Sequence, residues 1–177
     1  IGIKEYDWTF TGTDIDNNSI ESVQQIIVAN PFLKDKLELR LQTNPTNIFT
    51  GIIKENEHFD VTICNPPFHT SLADAQAGTK RKLNNLHLKK HNKITLNFGG
   101  KSNELWCKGG EAVFIQNMIM QSTHFSDSCF WFSTLVSKQS NLKNIYETLK
   151  KTKAFEVKTI QMAQGNKVNR IVAWTFL

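Results

Sequence analysis

The sequence predicts an α/β fold in which a mostly parallel β-sheet is covered by α-helices on both faces. Segments with a strand-like pattern alternate with segments of helical spacing along all 177 residues. Crossover helices between parallel strands produce this order. Apolar residues make up 40% of the chain, which is enough for the core of one domain. Two polar motifs stand directly after predicted strands, where such sheets bind their ligands.

The first third of the chain is predicted to hold three strands and one helix. In order they are a strand at 8–12 on which the chain opens, a helix at 19–30, a strand at 37–41 and a strand at 59–64. Ser19 is a suitable N-cap for the helix, and Pro31 would end it. The last of these strands must end at Asn65-Pro66-Pro67, because two prolines cannot continue a hydrogen-bonded ladder.

The remainder is predicted to begin with a polar insertion and to end with two closing strands. The elements are a basic insertion at about 69–110, a helix at 111–124, a strand at 129–136, a helix at 141–151, and strands at 154–162 and 170–176 joined by a turn at 164–166. Glu111 lies in the first turn of its helix, where an acidic residue favours the helix dipole. We interpret residues 1–177 as one partial domain that carries this insertion.

Positive charge is concentrated in the insertion. The formal net charge is +5, and residues 75–103 contain no Asp or Glu. The same stretch contains seven basic residues: Lys80, Arg81, Lys82, Lys89, Lys90, Lys93 and Lys101. Such a distribution suits a polyanionic partner, and the alternative is a solvated face without a partner.

The first polar motif is Thr11-Gly12-Thr13-Asp14-Ile15-Asp16. A carboxylate just past a strand, next to a glycine, suits hydrogen bonding to the two hydroxyls of a ribose. Asp14 is the first candidate for that role and Asp16 the second. The alternative is that one or both carboxylates cap the following helix.

The second motif, Asn65-Pro66-Pro67-Phe68, predicts methyl transfer to a planar amino group. The lone pair of such an amine is delocalised, so two acceptors that bind its N–H groups can make it a better nucleophile. The side-chain oxygen of Asn65 and the carbonyl of Pro66 supply these acceptors, and they stabilise the charge that grows in the transition state. Pro67 stiffens the turn, and Phe68 offers a ring for base stacking. The alternative is a turn that ends a buried strand.

The chain also resembles the bacterial 23S ribosomal RNA adenine-N6 methyltransferases, and more distantly the eukaryotic methyltransferase-like RNA enzymes. The resemblance covers nearly the whole chain. Its blocks are residues 64–69, Gly78 with 80–82, 96–100 (L-N-F-G-G), 104–111 (E-L-W-C-K-G-G-E), 135–138 (L-V-S-K), 162–165 and 173–176.

The resemblance implies a Rossmann-like class I methyltransferase sheet whose last strand is antiparallel. It implies S-adenosylmethionine as the methyl donor and one adenosine of large-subunit ribosomal RNA, free or in an assembly intermediate, as the target. The family's first strand and glycine-rich cofactor loop should precede Ile1. We therefore expect an N-terminally truncated sheet, and poor cofactor binding by these 177 residues alone.

The resemblance also assigns roles to residues. Asn65, Pro66, Pro67 and Phe68 match the catalytic tetrapeptide, and Asn65 is expected to touch the cofactor as well. Asp14 matches the acidic residue on the cofactor ribose, while the segment at Gln42 and Thr43 corresponds to the place of the cofactor adenine. The basic residues assigned to the RNA backbone are Lys80, Arg81, Lys82, Lys89 and Lys90.

Three other functions stay open at the level of sequence. The same tetrapeptide could methylate a DNA adenine or a protein glutamine, since both present a planar NH2 group. A non-catalytic RNA-binding module of the same fold is the third. The spacing of the three cysteines suggests neither a metal site nor disulfides, no apolar run spans a membrane, and a cytoplasmic location is expected.

Overall fold

A computed structural model describes residues 1–71, 73, 106–164 and 167–177. The chain divides into two compact units, residues 1–55 and residues 56–177. Each unit is described by itself.

The first unit is a strand–helix–strand unit with a short helix in front. Its elements are α1 (Gly2–Tyr6), β1 (Phe10–Asp14), α2 (Asn17–Ala29), a 3-10 turn (Pro31–Leu33) and β2 (Leu37–Leu41). The two strands are parallel, with Phe10 opposite Leu37 and Asp14 opposite Leu41. Because the strands run in the same direction, Asp14 and the residues after Leu41 lie at one edge of this small sheet.

Several predicted boundaries in the first unit are wrong. The chain opens on a helical turn rather than a strand, and β1 begins at Phe10 instead of Trp8. Trp8 instead packs its ring near those of Tyr6 and Phe10, with centroids 5.5 and 6.1 Å away. Helix α2 begins two residues before Ser19, because Asp16 is its N-cap.

The second unit is built on a four-stranded sheet. Its elements are β3 (Phe59–Val61), α3 (Gly110–Ser122), a 3-10 turn (Thr123–Phe125), β4 (Cys129–Val136), a 3-10 turn (Gln139–Asn141), α4 (Leu142–Lys151), β5 (Glu156–Gln164) and β6 (Lys167–Thr175). The strand order is β3-β4-β6-β5. Strand β3 is parallel to β4, and β6 is antiparallel to both of its neighbours. The predicted antiparallel last strand is therefore confirmed.

The core of the second unit lies between this sheet and helices α3 and α4. Fully buried side chains from strands β4 and β6 include Phe132 and Trp174, whose rings stack with centroids 5.9 Å apart. Helix α3 contributes Ile115, Met118 and Ile119 to the core, each with no exposed surface. Large aromatic rings bury the most apolar area per residue and dominate such cores. This packing fixes β4, the strand that pairs with Cys64 directly before the second polar motif.

Hydrogen bonding between β3 and β4 continues past the regular strand, as far as Cys64. The amide of Cys64 donates to the carbonyl of Ser133 at 3.2 Å, and the amide of Leu135 donates to the carbonyl of Cys64 at 2.9 Å. The ladder then stops at the two prolines, as the sequence predicts. The chain therefore reaches Asn65 along a fixed path.

Candidate active site

The tetrapeptide places a buried proline beside an exposed amide. Asn65 is exposed, whereas Pro66 lies among the fully buried residues. Pro67 and Phe68 are half-buried. Within the described part of the chain, neither the Asn65 side chain nor the Pro66 carbonyl makes a hydrogen bond. Two acceptors of adjacent residues are therefore uncommitted on a rigid turn.

The tetrapeptide is held on both sides by backbone pairing. On the preceding side, Cys64 forms a parallel bridge with Thr134 of β4. On the following side, His69 forms a parallel bridge with Trp106, and the amide of Cys107 donates to the carbonyl of His69 at 3.1 Å. Residues 65–68 therefore connect two positions, Cys64 and His69, whose backbone is held by pairing.

Two glycines allow helix α3 to begin close to His69, the second of these two positions. Gly109 and Gly110 have positive φ values of 85° and 65°. A Cβ atom at Gly109 would lie 2.7 Å from Cβ of Val113, and one at Gly110 would lie 3.0 Å from Cγ2 of Thr70. Both positions require glycine, because a side chain would be strained and would clash. The close approach brings α3 against the chain that follows the tetrapeptide.

Burial keeps the neighbouring thiols protonated. Burial raises the pKa of the Cys64 thiol to about 11, an effect that a hydrogen bond with Thr134 partly offsets. Burial also raises the pKa of Cys107, with a smaller opposing effect from a backbone hydrogen bond of Gly110. Nucleophilic cysteines need a lowered pKa. The arrangement therefore points to chemistry at the amide and carbonyl oxygens rather than at sulfur.

Asp14 and Asp16, at the edge of the first unit, differ in the hydrogen bonds that their carboxylates make. The Asp16 carboxylate accepts bonds from the amide of Asn18 at 3.0 Å and the hydroxyl of Ser19 at 3.3 Å, so it caps α2. Asp14 Oδ1 accepts from the amide of Asp16 at 2.8 Å. Its Oδ2 has no partner among the described residues. Of the two candidates, Asp14 is the one with an acceptor left for a ligand.

Gln42 and Thr43 follow β2 at the same edge as Asp14. The amide of Gln42 donates to the carbonyl of Asp14 at 2.8 Å. The buried Gln42 side chain donates to the carbonyl of Thr50 at 2.9 Å and accepts from the amide of Asn44 at 3.0 Å. Thr43 is exposed. Gln42 therefore shapes the loop after β2, a role the sequence analysis did not predict.

Sequence reasoning also missed a buried carboxylate at the start of α3. Glu111 is 2% exposed and accepts three hydrogen bonds from the segment after β4. We expected it to interact only with the helix dipole. Its position in the sequence could have indicated this burial, because Glu111 directly follows Gly109-Gly110 and stands at the start of a largely buried helix.

Several sequence-based predictions concern residues that the structure does not describe. The basic residues assigned to the RNA backbone, Lys80, Arg81, Lys82, Lys89 and Lys90, fall outside the described ranges. So do most of the insertion at 69–110 and the tip of the turn at 164–166. Their assigned roles stay predictions.

The described residues include neither a metal-binding cluster nor a membrane-spanning helix. No group of three or more His, Cys, Asp or Glu side chains there is arranged to hold a metal ion. Within the same ranges, no helix has the length and hydropathy needed to cross a membrane.

The sheet and its tetrapeptide define a class of protein. Each unit has a pair of parallel strands with a polar motif at a carboxyl end, and the sheet of the second unit adds antiparallel strands, as in Rossmann-like methyltransferases. The family described as "RNA methyltransferase" matches residues 1–177, and the chain belongs to this family.

Curated relatives agree with this membership. The chain is 55% identical over 176 residues to a ribosomal RNA large subunit methyltransferase F of Cytophaga hutchinsonii, covering 99% of the chain and 55% of that protein. It is 52% identical over 177 residues to the protein of the same name from Bacteroides thetaiotaomicron, covering 100% and 58%. The chain therefore spans little more than half the length of these relatives.

Solved structures share the fold. The hMettl16 catalytic domain in complex with MAT2A 3'UTR hairpin 1 superposes with a TM-score of 0.78 at 21% identity, covering 99% of this chain and 58% of the other. The N-terminal domain of human METTL16 in complex with SAH gives 0.70 at 20% identity, covering 99% and 55%. At this identity the likeness concerns the fold alone.

Proposed function

We propose that the full-length protein transfers a methyl group from S-adenosylmethionine to the N6 amine of an adenosine in large-subunit ribosomal RNA. The observation that carries this proposal is the exposed, uncommitted amide of Asn65 beside the buried Pro66. The acceptor RNA is free or part of an assembling particle. The separated cysteines suit a reducing, cytoplasmic setting.

The two free acceptors match the two hydrogens of an amino group. The Asn65 side-chain oxygen accepts one N–H, and the Pro66 carbonyl accepts the other. As the nitrogen becomes tetrahedral, positive charge grows on it, and acceptors already in place stabilise that charge without reorganisation. A strong general base is unnecessary, because the nitrogen becomes acidic when it gains the methyl group. Phe68, which is half-buried, stacks on the target base.

The first unit holds groups suited to the cofactor. The free Oδ2 of Asp14 can accept from a ribose hydroxyl, and the loop at Gln42 and Thr43 stands at the same edge for the adenine ring. When bound, S-adenosylmethionine supplies an electrophilic methyl group on a sulfonium. Asp14 and the loop would bind and orient it, and Asn65 stays a predicted contact of the cofactor.

The names of the curated relatives support ribosomal RNA as the methyl acceptor. The curated relatives carry the name ribosomal RNA large subunit methyltransferase F. Solved neighbours hold an RNA hairpin in one case and SAH in another. The basic residues at 80–82 and 89–90 would neutralise RNA phosphates. Phe68 also favours a nucleobase, since glutamine methylators usually carry Tyr at this place.

A comparison of acceptors tests the proposal. The full-length protein would be given labelled S-adenosylmethionine with ribosomal RNA, DNA or a glutamine peptide. We expect label only in the RNA, on the N6 of adenosine, and a loss of transfer in Asn65→Ala. Asn144→Ala, which removes another exposed amide on α4, should keep full activity. Transfer to DNA or to the peptide alone would overturn the acceptor, and no transfer to any of the three would favour a binding module.

A further inference from the structure

The Glu111 carboxylate joins the start of α3 to the segment that follows β4. Its Oε1 accepts from the amide of Ser137 at 2.6 Å. Its Oε2 accepts from the amide of Lys138 at 3.2 Å and from Nδ2 of Asn141 at 2.6 Å. Hydrogen bonds to an ionised acceptor are the strong ones, and burial strengthens them further. The two segments are therefore tied firmly together.

The two backbone supports of the tetrapeptide directly precede these segments in the chain. The segment after β4 continues from Leu135, whose amide holds the carbonyl of Cys64. The segment before α3 contains Cys107, whose amide holds the carbonyl of His69 at 3.1 Å. Cys64 and His69 directly flank positions 65–68. Through these contacts, the Glu111 carboxylate connects the backbone on the two sides of the tetrapeptide.

We propose that Glu111 is a positioning residue for methyl transfer, because it fixes the distance between the two supports of Asn65–Phe68. This inference rests on the proposed function of that site. Glu111 acts through the backbone of its neighbours. Both of its oxygens are occupied by these three hydrogen bonds, so neither is left for a substrate.

Glu111 affects the local geometry of the site more than the stability of the fold. The core of the second unit is formed by apolar residues such as Phe132 and Trp174, which pack without Glu111. Glu111 controls the relative position of two backbone segments at the edge of the sheet. Methyl transfer depends on the alignment of nitrogen with the methyl carbon, and a misplacement of ~1 Å can cost on the order of 100-fold in rate.

The first test replaces the carboxylate by an amide of the same size. In Glu111→Gln an NH2 group stands where Oε2 accepts from Asn141 and Lys138, so donors face donors. We expect kcat to fall about 10- to 100-fold, while KM for the cofactor and the affinity for RNA stay unchanged. Glu147→Gln, which neutralises an exposed carboxylate on α4, should leave all three values unchanged.

A second variant restores the missing acceptor. In the double variant Glu111→Gln with Asn141→Asp, the new side-chain carboxylate at position 141 can accept a hydrogen bond from the new side-chain amide at position 111. Asn141→Asp alone places two carboxylates together and should also lower kcat. We expect the double variant to be more active than either single variant, an interaction that a double-mutant cycle measures.

The outcomes separate this inference from the proposed function. The kcat comparison uses whichever of the three acceptors the wild-type protein methylates, so a wrong acceptor does not affect it. An active wild-type protein with unchanged kcat in Glu111→Gln would overturn the positioning role. So would an equal loss in kcat and in cofactor affinity. Loss of the folded state in both the single and the double variant would overturn it as well, because Glu111 would then hold the fold itself.

Discussion

The indole N–H of Trp174 donates to the hydroxyl of Ser122 at 2.9 Å, and neither side chain has exposed surface. The Ser122 hydroxyl in turn donates to the carbonyl of Ile119 at 2.7 Å. The bond joins the last residue of α3 to β6 across 52 positions of the sequence. It gives the largest aromatic ring of the core a partner that no other described residue supplies.

Ser122→Ala should therefore destabilise the protein by ~1–3 kcal/mol, the cost of leaving a buried donor unsatisfied. Urea unfolding of the variant and the wild type would measure the difference. Thr123→Ala is the matched control, because Thr123 makes the same type of bond to the carbonyl of Met120 at 2.8 Å in an exposed position. The control should change stability by no more than ~0.5 kcal/mol. Equal effects of the two changes would contradict the role given to Trp174.

Asp14→Asn should weaken cofactor binding in the full-length protein without affecting the fold. Asparagine keeps the acceptor for the amide of Asp16 but replaces the free Oδ2 by a donor. A lost hydrogen bond to a charged group is worth ~1.5–3 kcal/mol, or about 10- to 150-fold in Kd. Isothermal titration with S-adenosylmethionine would measure the change.

Asp16→Asn is the control for this experiment. Asp16 caps α2, and asparagine is as good an N-cap as aspartate. The variant should keep both its stability and its cofactor affinity. If Asp16→Asn lost affinity and Asp14→Asn did not, the ribose role would pass to Asp16.

The sequence was most informative where a continuous run of mainly apolar residues defines an element. Strand β4 was predicted at its observed ends, Cys129–Val136, because eight consecutive residues suit a buried strand and turn residues precede it. The start of α2 was predicted wrongly for a physical reason. Ser19 and Asp16 are both suitable N-caps, and only the carboxylate reaches the amide of Asn18.

The candidate site was predicted only in part, for a related reason. Local chemistry identified Asn65–Phe68, since the two prolines end a strand whatever lies around them. Glu111 could not be identified as a support, because its three partners lie 26, 27 and 30 positions away. Gln42 presents the same problem, since its side chain bonds across eight positions to Thr50. Such roles depend on tertiary contacts.

Charge reversal of Lys80, Arg81 and Lys82 to Glu should weaken RNA binding and reduce its dependence on salt. Each phosphate contact that is lost lowers the slope of log affinity against log salt by about 0.7–0.9. Filter binding of ribosomal RNA between low and moderate salt would measure the slope. Reversal of Lys4, Lys34 and Lys143, which are exposed outside the basic stretch, makes the same change in net charge. A slope lowered equally by both sets would remove the specific assignment.

Alkylation should leave Cys64 largely unmodified in the folded protein, although it adjoins Asn65. Burial raises the pKa of its thiol from 9.0 to about 11, so near pH 8 the thiolate fraction is ~100-fold smaller than in the unfolded chain. Labelling with iodoacetamide, followed by mass spectrometry of the Cys64 peptide, would give the rates. We expect the rate to rise steadily from pH 8 to about pH 11, and the denatured chain to react at least ~100-fold faster at pH 8. Because the unfolded thiol ionises first, Cys64 should also lower the stability by up to ~1.4 kcal/mol per pH unit between these two pKa values, and Cys129, whose pKa burial also raises to about 11, should add a similar decrease. Equal labelling rates for the folded and denatured chains would show that the thiol of Cys64 is accessible and ionised, and the proposed backbone support next to Asn65 would then be wrong.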